Sequence, residues 1–157
     1  MSQEHFYQLS LKWTGNKGEG TTSYTSYERS HIISGENKPK IPASSDPAFR
    51  GDKTAYNPEE LLVASLSGCH MLWFLHLCAK NGIVVVDYAD NPTGVLAEEG
   101  AAGGRITAVT LNPVVTITDA SNLQKLNDLH KQAHQLCYIA NSVNFTVNHN
   151  PIGKVAS

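Results

Sequence analysis

Between Tyr56 and Gly82 the sequence reads YNPEELLVASLSGCHMLWFLHLCAKNG, and almost no charge falls inside it. Asn57 has the short polar side chain of a helix N-cap. Pro58 suits the first helical position, and Glu60 falls where it can reach back to the cap. Glu59 and Glu60 both favour the positive end of the helix dipole. Asn81 and Gly82 supply a left-handed stop. A helix that is apolar nearly all round must be covered on most sides, so the stretch predicts a long buried central helix. About twenty apolar residues are also enough to span a bilayer. Two histidines, two serines and a glycine interrupt this run, and no second run of the kind exists. A core helix is therefore expected, and no membrane span.

The segments around it read mainly as strands. HFYQLSLKW (5–13) alternates and carries aromatics, TGNKGEG (14–20) is a turn, and TTSYTSYERSHIIS (21–34) reads as a second, longer strand. Residues 35–56 contain Pro39, Pro42 and Pro47 and read as a long loop of the kind that carries function. After the helix, 83–99 and 104–118 are two β stretches joined as a hairpin by GAAGG, with Pro92 and Pro113 at bulges or edges. Asp119 or Ser121 caps a second helix, whose Leu123, Leu126, Leu129, Ala133 and Leu136 recur three and four apart. VNFTVNHN (143–150) closes the chain as a strand. Grouped strands and grouped helices give an α+β fold of antiparallel sheets packed around the central helix, with a second helix beside it.

At 157 residues, one domain covering 1–157 is expected. The net charge of −2 gives no reason to expect a nucleic acid or an anionic membrane as partner. MSQEHFYQLS has neither a basic region nor an apolar core, so no signal peptide is expected, and the expected compartment is the cytoplasm. The three cysteines are too few for a disulfide scaffold and stand as reactive thiols or buried small hydrophobes.

Two of them, Cys69 and Cys78, lie nine residues apart in the central helix. At 100° and 1.5 Å per residue they point to opposite sides, about 13.5 Å apart, too far for a bond to each other. A disulfide would join one of them to Cys137. Cys69 follows the small residues Ser67 and Gly68, which open a groove. Cys78, among Leu75, Leu77 and Ala79, reads as a buried hydrophobe. A thiolate at Cys69 needs a cation, because desolvation alone raises a thiol pKa. Arg50, Lys53 and Arg29 are at hand in the preceding segments. An arginine brought into an apolar groove needs a carboxylate in turn, for which Glu59 or Glu60 could serve.

NPEELLVASLSGC, with Glu59 ten residues before Cys69, resembles the signature of the OsmC/Ohr family of osmotically inducible and organic hydroperoxide resistance proteins. AHQLCYIANSV, with Cys137 at a helix end, is similar to the segment that holds the family's second cysteine, although Tyr138 stands where proline is usual. DPAFRGDKTAYNPEE resembles the OsmC branch, with Arg50 nine residues before Glu59. The likeness covers nearly the whole chain. It implies a thiol peroxidase for organic hydroperoxides that uses no metal, flavin or other cofactor. Cys69 would attack the peroxide and Cys137 would resolve the resulting sulfenic acid as a disulfide. Arg50 would activate the thiolate, with Arg29 and Lys17 as alternatives, and Glu59 would hold the arginine. An external dithiol, typically a lipoylated protein, would recycle the enzyme. The resemblance also implies an intertwined homodimer with sites at the interface. Geometry adds a constraint: Glu59 and Cys69 lie about 15 Å apart on a straight helix, so they share one arginine only if the helix breaks early or Glu59 comes from a second subunit.

Three other readings compete. His130 and His134, four apart on one helix, could form a metal pair, but a solvated face is the expected reading, and no closed zinc set of cysteines and histidines is present. The chain could keep the fold as a binding or stress protein with weak or no peroxidase activity. An acyltransferase using Cys69 with His70 as base is disfavoured, since adjacent helix residues diverge by about 100°.

Overall fold

The computed structural model describes residues 2–157. Two compact units divide the chain, Met1–Leu61 and Leu62–Ser157. The first holds a three-stranded antiparallel sheet of β1 (Ser10–Trp13), β2 (His31–Ser34) and β3 (Ile41–Ala43), in that order. The long second strand expected over 21–34 shortens to its last four residues. The Ser26 hydroxyl donates to the carbonyls of Gly20 and Ser23, at 2.8 and 2.9 Å, so this segment turns back on itself instead of joining a ladder. The expected loop after Ser34 contains β3, an edge strand whose Pro42 has no N–H to donate. A short 3-10 turn, Pro47–Phe49, follows, with the Asp46 carboxylate accepting from the Ala48 N–H at 2.7 Å.

The central helix α1 (Pro58–Lys80) starts and stops as its sequence dictates. Asn57 Oδ1 accepts from the Glu60 N–H at 2.9 Å, and Glu60 Oε2 accepts from the Asn57 N–H at 3.1 Å. This reciprocal pair satisfies two of the donors that a helix start leaves open. At the far end Gly82 takes φ 66° and the Ile83 N–H returns to the Cys78 carbonyl at 2.9 Å. The helix is unbroken throughout, which removes an early break as the way for Glu59 and Cys69 to share an arginine. It is not buried on every side. Its buried residues, Leu66, His70, Phe74, Leu77 and Cys78, form one stripe at helical spacing, while Leu72 is 64% exposed. By length and composition alone α1 could cross a membrane, but this stripe is packed into the core of the second unit.

The rest of that unit contains β4 (Val85–Ala89), β5 (Thr93–Glu98), β6 (Gly104–Leu111), β7 (Val114–Ile117), α2 (Leu126–Leu136), β8 (Thr146–His149) and β9 (Ile152–Val155). They form two sheets, ordered β4-β7-β9 and β5-β6-β8. The hairpin read from the sequence is present, but each of its arms is divided between the two sheets. The divisions fall at Asn91-Pro92, Asn112-Pro113 and Asn150-Pro151. A proline cannot donate to a ladder, so pairing stops there and resumes beyond it. The asparagines tie the three breaks together. Asn112 Nδ2 donates to the Asn91 carbonyl at 2.9 Å, and the Asn112 N–H donates to Asp90 Oδ1 at 2.6 Å.

The α+β class holds, with a difference in pairing. β4 with β7 and β5 with β6 are antiparallel, but β8 runs parallel to β6 and β9 parallel to β7, so these sheets are mixed rather than antiparallel throughout. The α1 stripe serves both sheets. Leu66 packs with Val109 and Leu111, while Phe74, Leu77 and Cys78 pack with Val115, Ile117 and the α2 residues Leu126, Leu129 and Ala133. Each fully buried side chain of this size is worth about 1.5–3 kcal/mol. Asp119 caps the 3-10 turn that leads into α2, its carboxylate accepting from the Ser121 N–H at 2.9 Å.

Candidate functional site

Cys69 lies mid-way along α1 and Cys137 at the C-cap of α2. The fold of the second unit brings these two together, close enough for Cys69 to act on the ionisation of Cys137. All three cysteines are free thiols. Cys69 is half-buried and Cys137 is fully buried. Burial pushes the Cys137 thiol pKa up, and the Cys69 thiol pushes it the same way, while the Ala140 N–H, donating to Cys137 Sγ at 3.4 Å, works against both. Cys69 is thus the more accessible of the two sulfurs. Cys78 sits in the core cluster around Phe74, and burial pushes its thiol up to about 11.

The thiol pair adjoins an apolar, aromatic surface. Trp73, one turn beyond Cys69, meets the Tyr138 ring edge-on at 5.5 Å. Leu72, Trp73 and His76 line a shallow cavity of about 220 Å³. Tyr138 is therefore a wall of this surface, although the sequence singled it out only as a departure from a pattern.

The other candidate residues, Arg50 and Glu59, belong to the first unit. Arg50 ends the 3-10 turn at φ 65°, ψ 25° and is exposed, its guanidinium carbon 5.9 Å from the Tyr24 ring centre. Among the described residues its guanidinium makes no hydrogen bond or ion pair, and it is not paired with Glu59. The alternative cations are committed elsewhere. Arg29 donates to the carbonyls of Tyr27 and Tyr24 at 2.6 and 2.8 Å and stacks on both rings. Lys17 is paired with Glu28 at 3.0 Å. Glu60 is held by the Asn57 cap, which leaves Glu59 as the uncommitted carboxylate at the helix start.

One part of the site went unread in the sequence. His130 does not lie on a solvated face: it is 1% exposed, and its Nδ1 is 2.9 Å from Nε2 of the equally buried His70. The signal was present, since His130 falls four residues after Leu126 and three before Ala133, on the same stripe of α2. His149 lies 5.6 Å from His70, and His134 lies 5.5 Å from His149, ring centre to ring centre. Among the described residues no group of three or more His, Cys, Asp or Glu side chains is arranged to hold a metal ion.

A family model described as OsmC-like protein matches residues 51–151, from just after Arg50 to beyond Cys137. The chain belongs to the OsmC-like protein family. An OsmC-like protein of unknown function from Vibrio cholerae is 34% identical, with a TM-score of 0.85 over 95% of this chain and 100% of that one. An organic hydroperoxide resistance protein OsmC from Legionella pneumophila shares the fold at 19% identity and TM-score 0.68, over 96% of this chain and 99% of that one. An organic hydroperoxide resistance protein from Elizabethkingia anophelis, with thiocyanate bound, does so at 16% identity and TM-score 0.67, over 98% of this chain and 100% of that one. No curated protein matches this OsmC-like chain in sequence.

Proposed function

We propose that this chain is a cysteine-based peroxidase that reduces organic hydroperoxides to alcohols. The observation that carries the reading is the neighbouring pair of thiols, half-buried Cys69 and fully buried Cys137, in a member of the OsmC-like family. Cys69 as thiolate attacks the distal peroxide oxygen. The O–O bond breaks, the sulfur gains a hydroxyl as sulfenic acid, and the leaving alkoxide takes a proton to become the alcohol. The Cys137 thiol then displaces that hydroxyl as water and forms the Cys69–Cys137 disulfide. An external dithiol, such as a lipoylated protein, returns both thiols by exchange and leaves as its own disulfide. No metal or organic cofactor enters the cycle.

Arg50 is assigned the stabilisation of the thiolate and of charge developing on the leaving oxygen, because its guanidinium has no other partner while Arg29 and Lys17 do. Glu59 is assigned to hold it. The surface of Leu72, Trp73 and Tyr138 takes the organic group. The working form is a homodimer with sites at the interface, in the cytoplasm where the thiols stay reduced. Its support is the exposed apolar surface of single chains: Phe6, Tyr7, Leu9 and Leu11 in the first unit and Leu72 on α1.

The test is one equivalent of an organic hydroperoxide followed by mass spectrometry, alongside dithiol-coupled turnover. The expected result is a Cys69–Cys137 bond and steady turnover, with turnover lost in Cys69→Ser. If the parent does not turn over, or Cys69→Ser turns over equally, a binding or stress protein on the same fold replaces the peroxidase.

A further inference from the structure

His70 follows Cys69 on α1, and His130 precedes Cys137 by seven residues, two turns, on α2. The rings of these histidines are parallel to within 4°, with Nε2 of one and Nδ1 of the other 2.9 Å apart. Phe74 stacks on His130 at 3.8 Å. The His70–His130 contact is a buried side-chain hydrogen bond between α1 and α2. Apolar contacts have no direction and tolerate sliding, whereas a buried hydrogen bond fixes a position. One nitrogen must donate and the other accept, so the bond cannot survive when both rings are doubly protonated.

We propose that His70 and His130 are positioning residues: their bond sets the register of α1 against α2, keeps the Cys69 and Cys137 thiols within reach of each other, and lets go in acid. The role rests on the thiol pair of the proposed peroxidase but does not require peroxide chemistry. The groups that face the pair are all bases. His149 comes from β8, His134 from the next turn of α2, and Lys131 stands behind His149. Among the described residues no carboxylate offsets them. Burial first, then His149 and His134, hold His70 down to about 4; burial first, then His70 and His149, hold His130 to about 3. A packed imidazole therefore binds its proton less readily than a wet one. The packed register is fully favoured above the ordinary value near 6.5 and loses ground as pH falls toward 4. An opened arrangement that wets His70 alone gains roughly thirtyfold between pH 7.5 and pH 5.

The test equilibrates the full chain with reduced and oxidised glutathione at pH 7.5 and pH 5, and measures the Cys69–Cys137 disulfide by trapping and mass spectrometry. Each disulfide formed converts one oxidised glutathione into two reduced. His130→Gln offers a hydrogen-bonding group that does not titrate. Thiol ionisation is common to both proteins, so the comparison between them isolates the His130 imidazole. The expected constant falls about tenfold or more with acid in the wild type, while His130→Gln stays within about threefold of the wild-type value at pH 7.5 and keeps only about half of that fall on a logarithmic scale, since His70 still titrates. His130→Leu, which strands His70, lowers the constant already at pH 7.5. If it does not fold, the glutamine variant still decides. A flat wild-type profile, or an unchanged pH dependence in His130→Gln, overturns the proposal. If glutathione behaves as described while hydroperoxide turnover is absent, the peroxidase reading fails and the positioning role stands.

Discussion

The first unit and the second bury apolar surface in opposite ways. Among the described residues Ala43 is the only buried hydrophobic residue of the first unit, and all the others, from Leu66 to Cys137, belong to the second. Every residue of β1 is exposed, and Phe6 and Tyr7 are 89% and 91% exposed. In the second unit β6 and β7 alternate toward Val109, Leu111, Val115 and Ile117, each at most 1% exposed. A three-stranded sheet that fully buries so little apolar surface is marginal by itself. The second unit therefore carries its own stability, and the first carries a surface that needs another surface. We assign that surface to a second copy of the chain.

The largest test of this contrast is Phe74→Ala, which removes the ring at the centre of the second unit's core. It should lower stability by about 3–5 kcal/mol in urea unfolding. Acid comes next. His70 and His130 have depressed pKa values when folded, so the unfolded chain binds more protons and stability falls as pH drops from about 6.5 toward 4. Between pH 7 and pH 5 the expected loss is on the order of 2 kcal/mol per histidine. His130→Gln should remove about half of it, measured by the pH dependence of the urea midpoint. The first unit responds differently. Leu11→Asp, at an exposed strand position, should weaken self-association tenfold or more, about 1.4 kcal/mol, in sedimentation equilibrium. If the chain sediments as a monomer to begin with, the assignment of a second copy fails. The smallest effect is expected for Asn57→Ala, which opens the capping box and should cost about 1 kcal/mol.

What the sequence disclosed follows the range over which each feature is determined. The start of α1 depends on Asn57, Pro58 and Glu60, and its stop on Gly82, all within a turn of the effect, and both were legible. The thiol pair was legible through the spacing of Cys69 and Cys137 and a family pattern, not through any local rule. The pairing of β8 and β9 depends on neighbours about forty residues away, and β9, in PIGKVAS, has too little alternation to announce itself. The three Asn-Pro pairs were each visible, but their alignment across two sheets exists only once the strands have paired. His130 was misread because its polarity was weighed above its place on the α2 stripe. A buried imidazole is tolerated there only because His70 stands opposite to bond it.

Arg50 holds a left-handed backbone, φ 65° and ψ 25°, and is followed by Gly51, where a Cβ would lie 1.6 Å from the Ser45 carbonyl oxygen. On backbone grounds alone glycine is the better occupant of position 50, by about 1 kcal/mol. Selection for heat resistance and selection for a guanidinium therefore pull this position in opposite directions. A library screened only for survival at high temperature will drift to glycine there, and its sturdiest members will be the ones that have given up the cation.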